Sequence, residues 1–532
     1  MTNLSSPHYP APEGDARPAA DELGLQSAKK RVAPNIVSNL VVVAMNAGVS
    51  ILLTSFIVRR LGTEAFGMVS LANSFSAFMH LAMLSISGSL LRFMSLNVGE
   101  GERANAFFNT AFFALLFLTM ILFVPIVVFS WQVPNLFVCA PGLEFDTSIL
   151  VFLILVTCLV SGIVSCIQAV FFLYHRFVYL NVLTILTQIV ALGLLVGMLW
   201  YSVNIVAIGV YRLAFAAGCA GLFFVSAMRF QRAFRVRWGL GSWGHLRQLL
   251  RVGGIVLVYD TAGVLLLSGT VLVLNRTLGA EATGRFGPVL QVVTFQMLLA
   301  FTIARVLRPI LFEYIRLGDA DRLRGALFKA TRILGYLAGF TMAMLCGLAR
   351  PILTWWVGAE FAPLAYLLAL CVYAGYIGSV LWVPYRQVFR GRDSLVVPTV
   401  ILLGISAVHV VVLYLALSYT DWGFSALGII FLVTVGVGQL VLNALHCDYI
   451  VTDPFGKSLG RVHASLWFPL VIAVALAWVL GESLDWRWVL LCGGVAAVFY
   501  ATAGYLMMLK PEDRKTLWSL MRRRSRESQA KM

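Results

Sequence analysis

Arg212 and Asp260 are ionisable side chains set deep inside long apolar runs of this chain. Each stands about nine residues from one end of its run, which at helical rise places both near 13 Å depth. Opposite charge at equal depth leaves two possibilities open. One is a fixed ion pair that holds two helices together. The other is an ion-coupling carboxylate at Asp260, with Arg212 as its partner or as a substrate contact. A second set is cationic. Arg92 and Arg308 end two further apolar runs 216 residues apart, and Arg305 precedes Arg308 by one helical turn. Guanidinium groups match phosphate oxygens bidentately, so the three together suit a pyrophosphate; arginines that only snorkel toward headgroups would occupy the same positions.

Uncharged polar residues recur at helical spacing: Asn39, Asn46, Ser50 and Thr54; then Asn73, Ser76, His80 and Ser87; then Gln291 and Thr294. As a set they predict a water-accessible face, although each alone serves equally as glue between helices. Asn46 and His80 join the arginines as candidate substrate contacts. Catalytic and metal chemistry have little to stand on. The chain carries no Walker A pattern, no HExxH and no GxSxG, and its eight cysteines are scattered without a CxxC. A transporter without cofactor or metal, rather than an enzyme, is expected.

The elements that position these residues are dictated by composition. Of 532 residues 60% are hydrophobic and 12% charged, and the mean hydropathy is +0.88. Such a chain cannot supply a polar surface, whereas lipid needs none. Runs long enough to cross a bilayer lie near 35–58, 66–91, 105–129, 147–171, 177–199, 203–228, 252–275, 286–308, 330–349, 362–383, 395–418, 423–445, 466–481 and 488–509. These predict an all-α polytopic membrane protein with about 14 transmembrane helices. Most of the 40 Lys and Arg residues fall in alternate loops and in both tails, including Arg386 in the loop after the tenth span. That bias places both termini in the cytoplasm, and it suits anionic membrane lipid rather than nucleic acid as the partner of the +16 net charge.

The chain also repeats itself. Leu61-Gly62-Thr63-Glu64-Ala65-Phe66-Gly67 comes after the first span, and Leu278-Gly279-Ala280-Glu281-Ala282-Thr283-Gly284 after the seventh, 217 residues later. Gly99-Glu100-Gly101-Glu102-Arg103 and Gly318-Asp319-Ala320-Asp321-Arg322 echo each other at 219 residues. Six spans separate the copies, an even number, so the halves share one orientation as a parallel repeat. The expected organisation is a disordered cytoplasmic tail (1–34), an N-lobe of six spans (35–228), a cytoplasmic amphipathic linker (229–251), a C-lobe (252–446), a cytoplasmic loop (447–465), two further spans (466–509) and a basic tail (510–532). In the linker, arginines interleave with Phe230, Phe234, Trp238 and Trp243, as in segments that lie among headgroups. The pairs Gly193/Gly197 and Gly335/Gly339 predict close helix packing.

A first span opening Asn35-Ile36-Val37-Ser38-Asn39, then LGTEAFG and a second span, resembles the polysaccharide flippase branch of the multidrug/oligosaccharidyl-lipid/polysaccharide exporter superfamily. The resemblance implies two six-helix lobes around a central cavity lined by spans one, two, seven and eight, alternating access, and spans thirteen and fourteen outside the lobes. It further implies translocation of a lipid-linked oligosaccharide of the polyprenyl-pyrophosphate type across a bacterial inner membrane, with a polysaccharide polymerase or export machinery as downstream partner. A MATE-like drug/cation antiporter and a non-transporting component of polysaccharide assembly are the alternatives. The charge bias predicts that reporter fusions at Trp200 and Asp421 are periplasmic and those at Trp238 and Lys510 cytoplasmic; a cytoplasmic signal at Trp200 would overturn the span count of the first half.

Overall fold

A backbone immersed in hydrocarbon has no water to bond, so it must satisfy its N–H and C=O groups within the segment, and helices do so. The computed structural model describes residues 42, 44–97, 101–174, 176–201, 204–230, 235–317, 320–391, 396–450, 454 and 456–514, and among these it is helical with no strand. The first six spans are α1 (Ala44–Leu61), α2 (Thr63–Leu96), α3 (Gly101–Leu136), α4 (Glu144–Leu173), α5 (Phe177–Tyr201) and α6 (Val206–Phe230). A helical trace then runs from Trp243 to Leu317, broken at Gly279 (φ 86, ψ −171). Its arms, 243–278 and 280–317, are α7 and α8. Next come α9 (Ala320–Gly347), a short helix Ala349–Trp356, α10 (Ala359–Val388), α11 (Val396–Tyr419), α12 (Gly423–Tyr449), α13 (Lys457–Leu480) and α14 (Trp486–Met507). Among the described residues this multi-pass membrane protein has thirteen helical segments long and apolar enough to cross a bilayer, and the longest, bent at Gly279, supplies two of them, in keeping with about fourteen spans.

Two boundaries differ from expectation. The 447–465 loop is mostly helix, because the last turns of α12 reach Ile450 and α13 begins at Lys457. Its polar first turns conceal that start, and Arg461 rests its guanidinium 4.1 Å above the ring of Phe328. The 229–251 linker likewise overlaps the neighbouring spans at both ends, since α6 runs to Phe230 and α7 begins at Trp243. Residues from Trp243 are the first turns of α7, and only Trp238–Leu240 form a short turn of their own. That turn is strapped to α3. The backbone N–H of Arg237 donates to Asn109 Oδ1 (2.7 Å), Asn109 Nδ2 donates to the Arg235 carbonyl (2.9 Å), and the Ser242 N–H donates to Thr110 Oγ1 (3.1 Å). His245 tilts over Phe107 at 4.2 Å. Burial, and then the charge of Arg103, hold its pKa below the usual histidine value, which favours the neutral ring.

The outer surface is apolar. α5 exposes Leu186, Ile189, Val190 and Val196, which water would drive inside and lipid leaves in place. Trp200 and Tyr201 at its end are 91% and 94% exposed, as aromatic residues at a bilayer interface are.

The repeated motifs meet each other. Gly62, between α1 and α2, has φ 89 and ψ 169, matching Gly279 between α7 and α8, in a region that only glycine enters at low cost. Five residues on, a Cβ added at Gly67 would lie 2.1 Å from the Ala280 carbonyl oxygen, and one at Gly284 would lie 1.8 Å from that of Thr63. Thr63 and Ala280 are themselves repeat partners, so one contact occurs twice, related by a pseudo-two-fold axis. The same end of the bundle carries a polar latch. Arg59 of α1 donates to the Trp355 and Trp356 carbonyls (2.8 and 3.4 Å) at the C-terminus of the short helix, and Trp356 Nε1 donates back to the Ile51 carbonyl (2.8 Å).

The last two helices are fastened to α9. Gly335 and Gly339 admit Ser465, Pro469 and Tyr500 at a distance that no side chain would allow. Tyr376 Oη lies within hydrogen-bond distance of the Gly335 and Ser465 carbonyls, and Arg332 makes a bidentate pair with buried Asp513 (2.7 and 3.1 Å). The Gly193/Gly197 pair behaves otherwise: nothing lies within 4 Å of a Cβ at either position, so no helix packs there. On the lipid face of α5 those glycines have no partner to admit.

Gly67→Ala or Gly284→Ala must force α2 and α8 apart. A cysteine placed at Ala280, which is 6% exposed, should resist a membrane-impermeant thiol reagent in an otherwise cysteine-free protein and react readily once Gly67→Ala is added. Equal labelling would show that the crossing tolerates a methyl group.

Candidate functional site

The two halves enclose a cavity of about 700 Å³. Near the crossing it begins at Ile57, Phe66 and Gly287, and it extends past Leu81 and Phe301. Spans one, two, seven and eight line most of it, with contributions from α6, α10, α11 and α12. The helical spacing of polar residues has a direct counterpart. Ser50 and Thr54 on α1, Asn73 and His80 on α2, and Gln291 and Thr294 on α8 all face this one space. Thr54 Oγ1 donates to Gln291 Oε1 (2.7 Å) and Gln291 Nε2 donates to Ser50 Oγ (2.7 Å), a chain of bonds that crosses between the halves.

Other predicted residues go elsewhere. Asn46 lies one turn before Ser50 and is exposed, outside the cavity lining. Ser76 turns into the N-half, where it bonds Cys158 of α4 (3.1 Å), and Ser87 donates to the Met83 carbonyl of its own helix (3.1 Å). Arg92 does not line the cavity. The side chains of Arg305 and Arg308, and all of Asn39, lie outside the described residues.

Arg212 and Asp260 both line the cavity. The ion pair that their depth and charge left open is not among the described ion pairs; Arg212 Nη1 donates to Asn73 Oδ1 at 2.5 Å. An amide offers an acceptor without a charge, so the guanidinium keeps its full positive charge while losing little hydrogen bonding to burial.

A second arginine obeys the same rule. Hydropathy puts Arg386 in the loop beyond the tenth span, but α10 continues through it and turns it into the cavity. Its Nη2 donates to Gln439 Oε1 of α12 (3.2 Å), which also accepts from Ser379 Oγ (2.9 Å). Gln439 Nε2 is buried with no hydrogen-bond partner in the described structure, leaving its two N–H donors unspent beside the arginine. Both helices pass through π-helical turns here, Tyr376–Val380 in α10 and Leu432–Gly438 in α12. The turns touch, since a Cβ at Gly378 would sit 1.8 Å from the Val435 carbonyl oxygen. Each π turn inserts a residue and rotates the rest of its helix, which is how Arg386 and Gln439 reach the cavity. No sequence signal marks those turns. The lining thus holds, among the described residues, one arginine from each half, each held by an uncharged amide, with a single acidic side chain, Asp260. Among the described residues no cluster of His, Cys, Asp and Glu is fit to hold a metal.

The profile of a family described as polysaccharide biosynthesis protein matches residues 32–315. The chain is 26% identical over 504 residues to the membrane protein EpsK of Bacillus subtilis (strain 168), covering 92% of this chain and 98% of that one. In fold it is similar to the lipid II flippase MurJ in an inward closed conformation, with a TM-score of 0.64 and 12% identity over 88% of this chain and 99% of that one. It is also similar to a multidrug resistance MATE family transporter in an inward-facing conformation, with a TM-score of 0.60 and 14% identity over 81% and 95%. At such identities the likeness is one of fold.

Asn73→Leu removes the acceptor of a buried guanidinium and should cost roughly 1–3 kcal/mol, read as a lower thermal midpoint of the detergent-purified protein. Asn73→Asp should instead keep or raise the midpoint, because it supplies a charged partner. A midpoint unmoved by Asn73→Leu would show that Arg212 draws its hydrogen bonds from cavity water.

Proposed function

Because this chain belongs to the polysaccharide biosynthesis protein family, we propose that it is a flippase carrying a lipid-linked oligosaccharide of the polyprenyl-pyrophosphate type from the inner to the outer leaflet of a bacterial inner membrane. The observation that carries this reading is the pair of amide-held arginines, Arg212 and Arg386, facing one cavity from opposite halves. Positive groups without a carboxylate bonded to them favour an anionic cargo, and guanidinium suits phosphate oxygens. The polar chain through Ser50, Thr54 and Gln291 offers hydrogen bonds of the kind sugars accept and donate. The polyprenyl tail stays in lipid while the head group travels.

The basic loops and both termini face the cytoplasm in this reading, so the Gly67–Gly284 crossing closes the outer side and the cavity opens inward. The two fold relatives described as inward are in keeping with that orientation. Transport then requires the crossing and the Arg59 latch to part while the opposite ends of the halves come together. Arg92, with Arg305 and Arg308, would gather the pyrophosphate at the inner mouth before it reaches the deeper pair. A cationic drug is the poorer cargo, since among the described residues two arginines and one acid line the space. Products on the outer leaflet would pass to a polymerase or export system.

Cells lacking the protein should accumulate a polyprenyl-pyrophosphate oligosaccharide on the inner leaflet, identified by mass spectrometry of extracted lipid. Arg212→Gln/Arg386→Gln should restore at least about ten-fold less flux than the unaltered protein, ten-fold being the scale of a single lost charge-assisted hydrogen bond, at equal membrane abundance. An intermediate without pyrophosphate, or full flux in the double variant, would refute the assignment.

A further inference from the structure

His409 is the one histidine of α11, and it is completely buried. Its ring bridges two other helices. Nε2 lies 2.9 Å from Thr270 Oγ1 of α7, and Nδ1 lies 2.7 Å from Thr434 Oγ1 of α12. Each threonine hydroxyl also lies within donating distance of the carbonyl one turn back on its own helix, Leu266 (2.6 Å) and Ile430 (2.7 Å).

Counting donors shows what such a site permits. A hydroxyl has one hydrogen and two lone pairs, and a neutral imidazole has one N–H and one bare nitrogen. In the neutral state the ring donates to one threonine and accepts from the other. In the protonated state it donates to both, and both hydroxyls turn their hydrogens onto the backbone carbonyls. Every group is satisfied in either state, with no heavy atom moved. A histidine retained only for packing has no need of two partners that can reverse their direction.

Among the described residues, none shown in contact with the ring is charged. α7 presents Thr270, and α12 presents Thr434 and the edge of Phe431 (5.5 Å). The nearest charged residues along those helices are Arg276 and Asp260 on α7 and Asp448 on α12; α11 has none between Val396 and Tyr419. The site is also wired to the cavity. Thr434 lies within the π-helical turn Leu432–Gly438, which ends immediately before Gln439, the residue that holds Arg386. On α7, Ser268 and Asp260 line the cavity in the turns leading to Thr270.

We propose that His409, with Thr270 and Thr434, is a proton-binding site that couples a proton gradient to rearrangement of the C-terminal half. The ring takes a proton from hydronium to form its second N–H bond and later returns it to water. Because the triad is sealed in this arrangement, exchange needs the seam between α7, α11 and α12 to open, and that ties protonation to helix position. The proposal rests on the transporter reading, but its test does not use cargo.

Spin labels at Glu64→Cys and Glu281→Cys, exposed repeat partners on either side of the closed end, report separation of the halves in the full-length protein in nanodiscs. The distance distribution should shift as pH falls from about 8 to 4, a range that extends below that of an ordinary histidine. His409→Gln should abolish the shift, and Thr434→Val, which keeps the ring but removes one reversible partner, should move its midpoint. A pH-independent distribution in the unaltered protein would overturn the proposal, as would an unchanged shift in His409→Gln. Absence of cargo transport beside an intact His409-dependent shift would count against the flippase reading alone.

Discussion

Two backbones that touch without side chains between them set the rest of this molecule. At the Gly67–Gly284 crossing the helices α2 and α8 approach until no Cβ fits on either partner. Because the contact is made twice by repeat-related residues, the axis between the halves passes through it. Helices held this tightly at one end diverge at the other, and the space between them becomes the cavity. The closed end is further tied by Arg59 to carbonyls of the opposite half. A crossing built from close backbone packing and one fan of hydrogen bonds is strong in one geometry and offers little in any other. That is the property the proposed transport cycle requires of an end that must part.

The cavity obeys an electrostatic rule that differs from ordinary pairing. A guanidinium bound to a carboxylate is neutralised before any ligand arrives, and the ligand must then compete with it. One bound to Asn73 or Gln439 is positioned without being neutralised. The protein holds these charges near low-dielectric material by supplying hydrogen bonds in place of counter-charge. Elsewhere it pairs charge fully, as at Arg332 and Asp513, where the task is to fix the end of α14 against α9.

Much of this is legible in the residues. The repeated LGxEAxG segments locate both glycines of the crossing and the bend at Gly279. Helical spacing of Ser50, Thr54, Asn73, His80, Gln291 and Thr294 locates three walls of the cavity, because those residues are the rare polar interruptions of apolar faces. Arg386 is hidden by a hydropathy boundary. A run of Tyr385, Arg386 and Gln387 looks like the end of a span, yet the helix continues and the cavity admits the charge. Partnership is hidden as well: Arg212 has opposite charge and equal depth in Asp260, and only three-dimensional placement gives its Nη1 to Asn73. The same limit applies to Gly193 and Gly197, whose spacing matches a packing motif but whose helix faces lipid.

The π-helical turns of α10 and α12 bear on how the two halves can be compared at all. Each holds one residue more than an α-helix needs for the same advance along its axis. One residue is about 100° of rotation. Beyond Val380 and Gly438, therefore, the faces of these helices are turned by more than a quarter circle from where an unbroken helix would carry them. Any helix-by-helix matching of the halves must open a one-residue gap there. Without it, Arg386 and Gln439 would be matched to positions on the wrong side of the partner helices, and the structural asymmetry of the halves would look like mere drift.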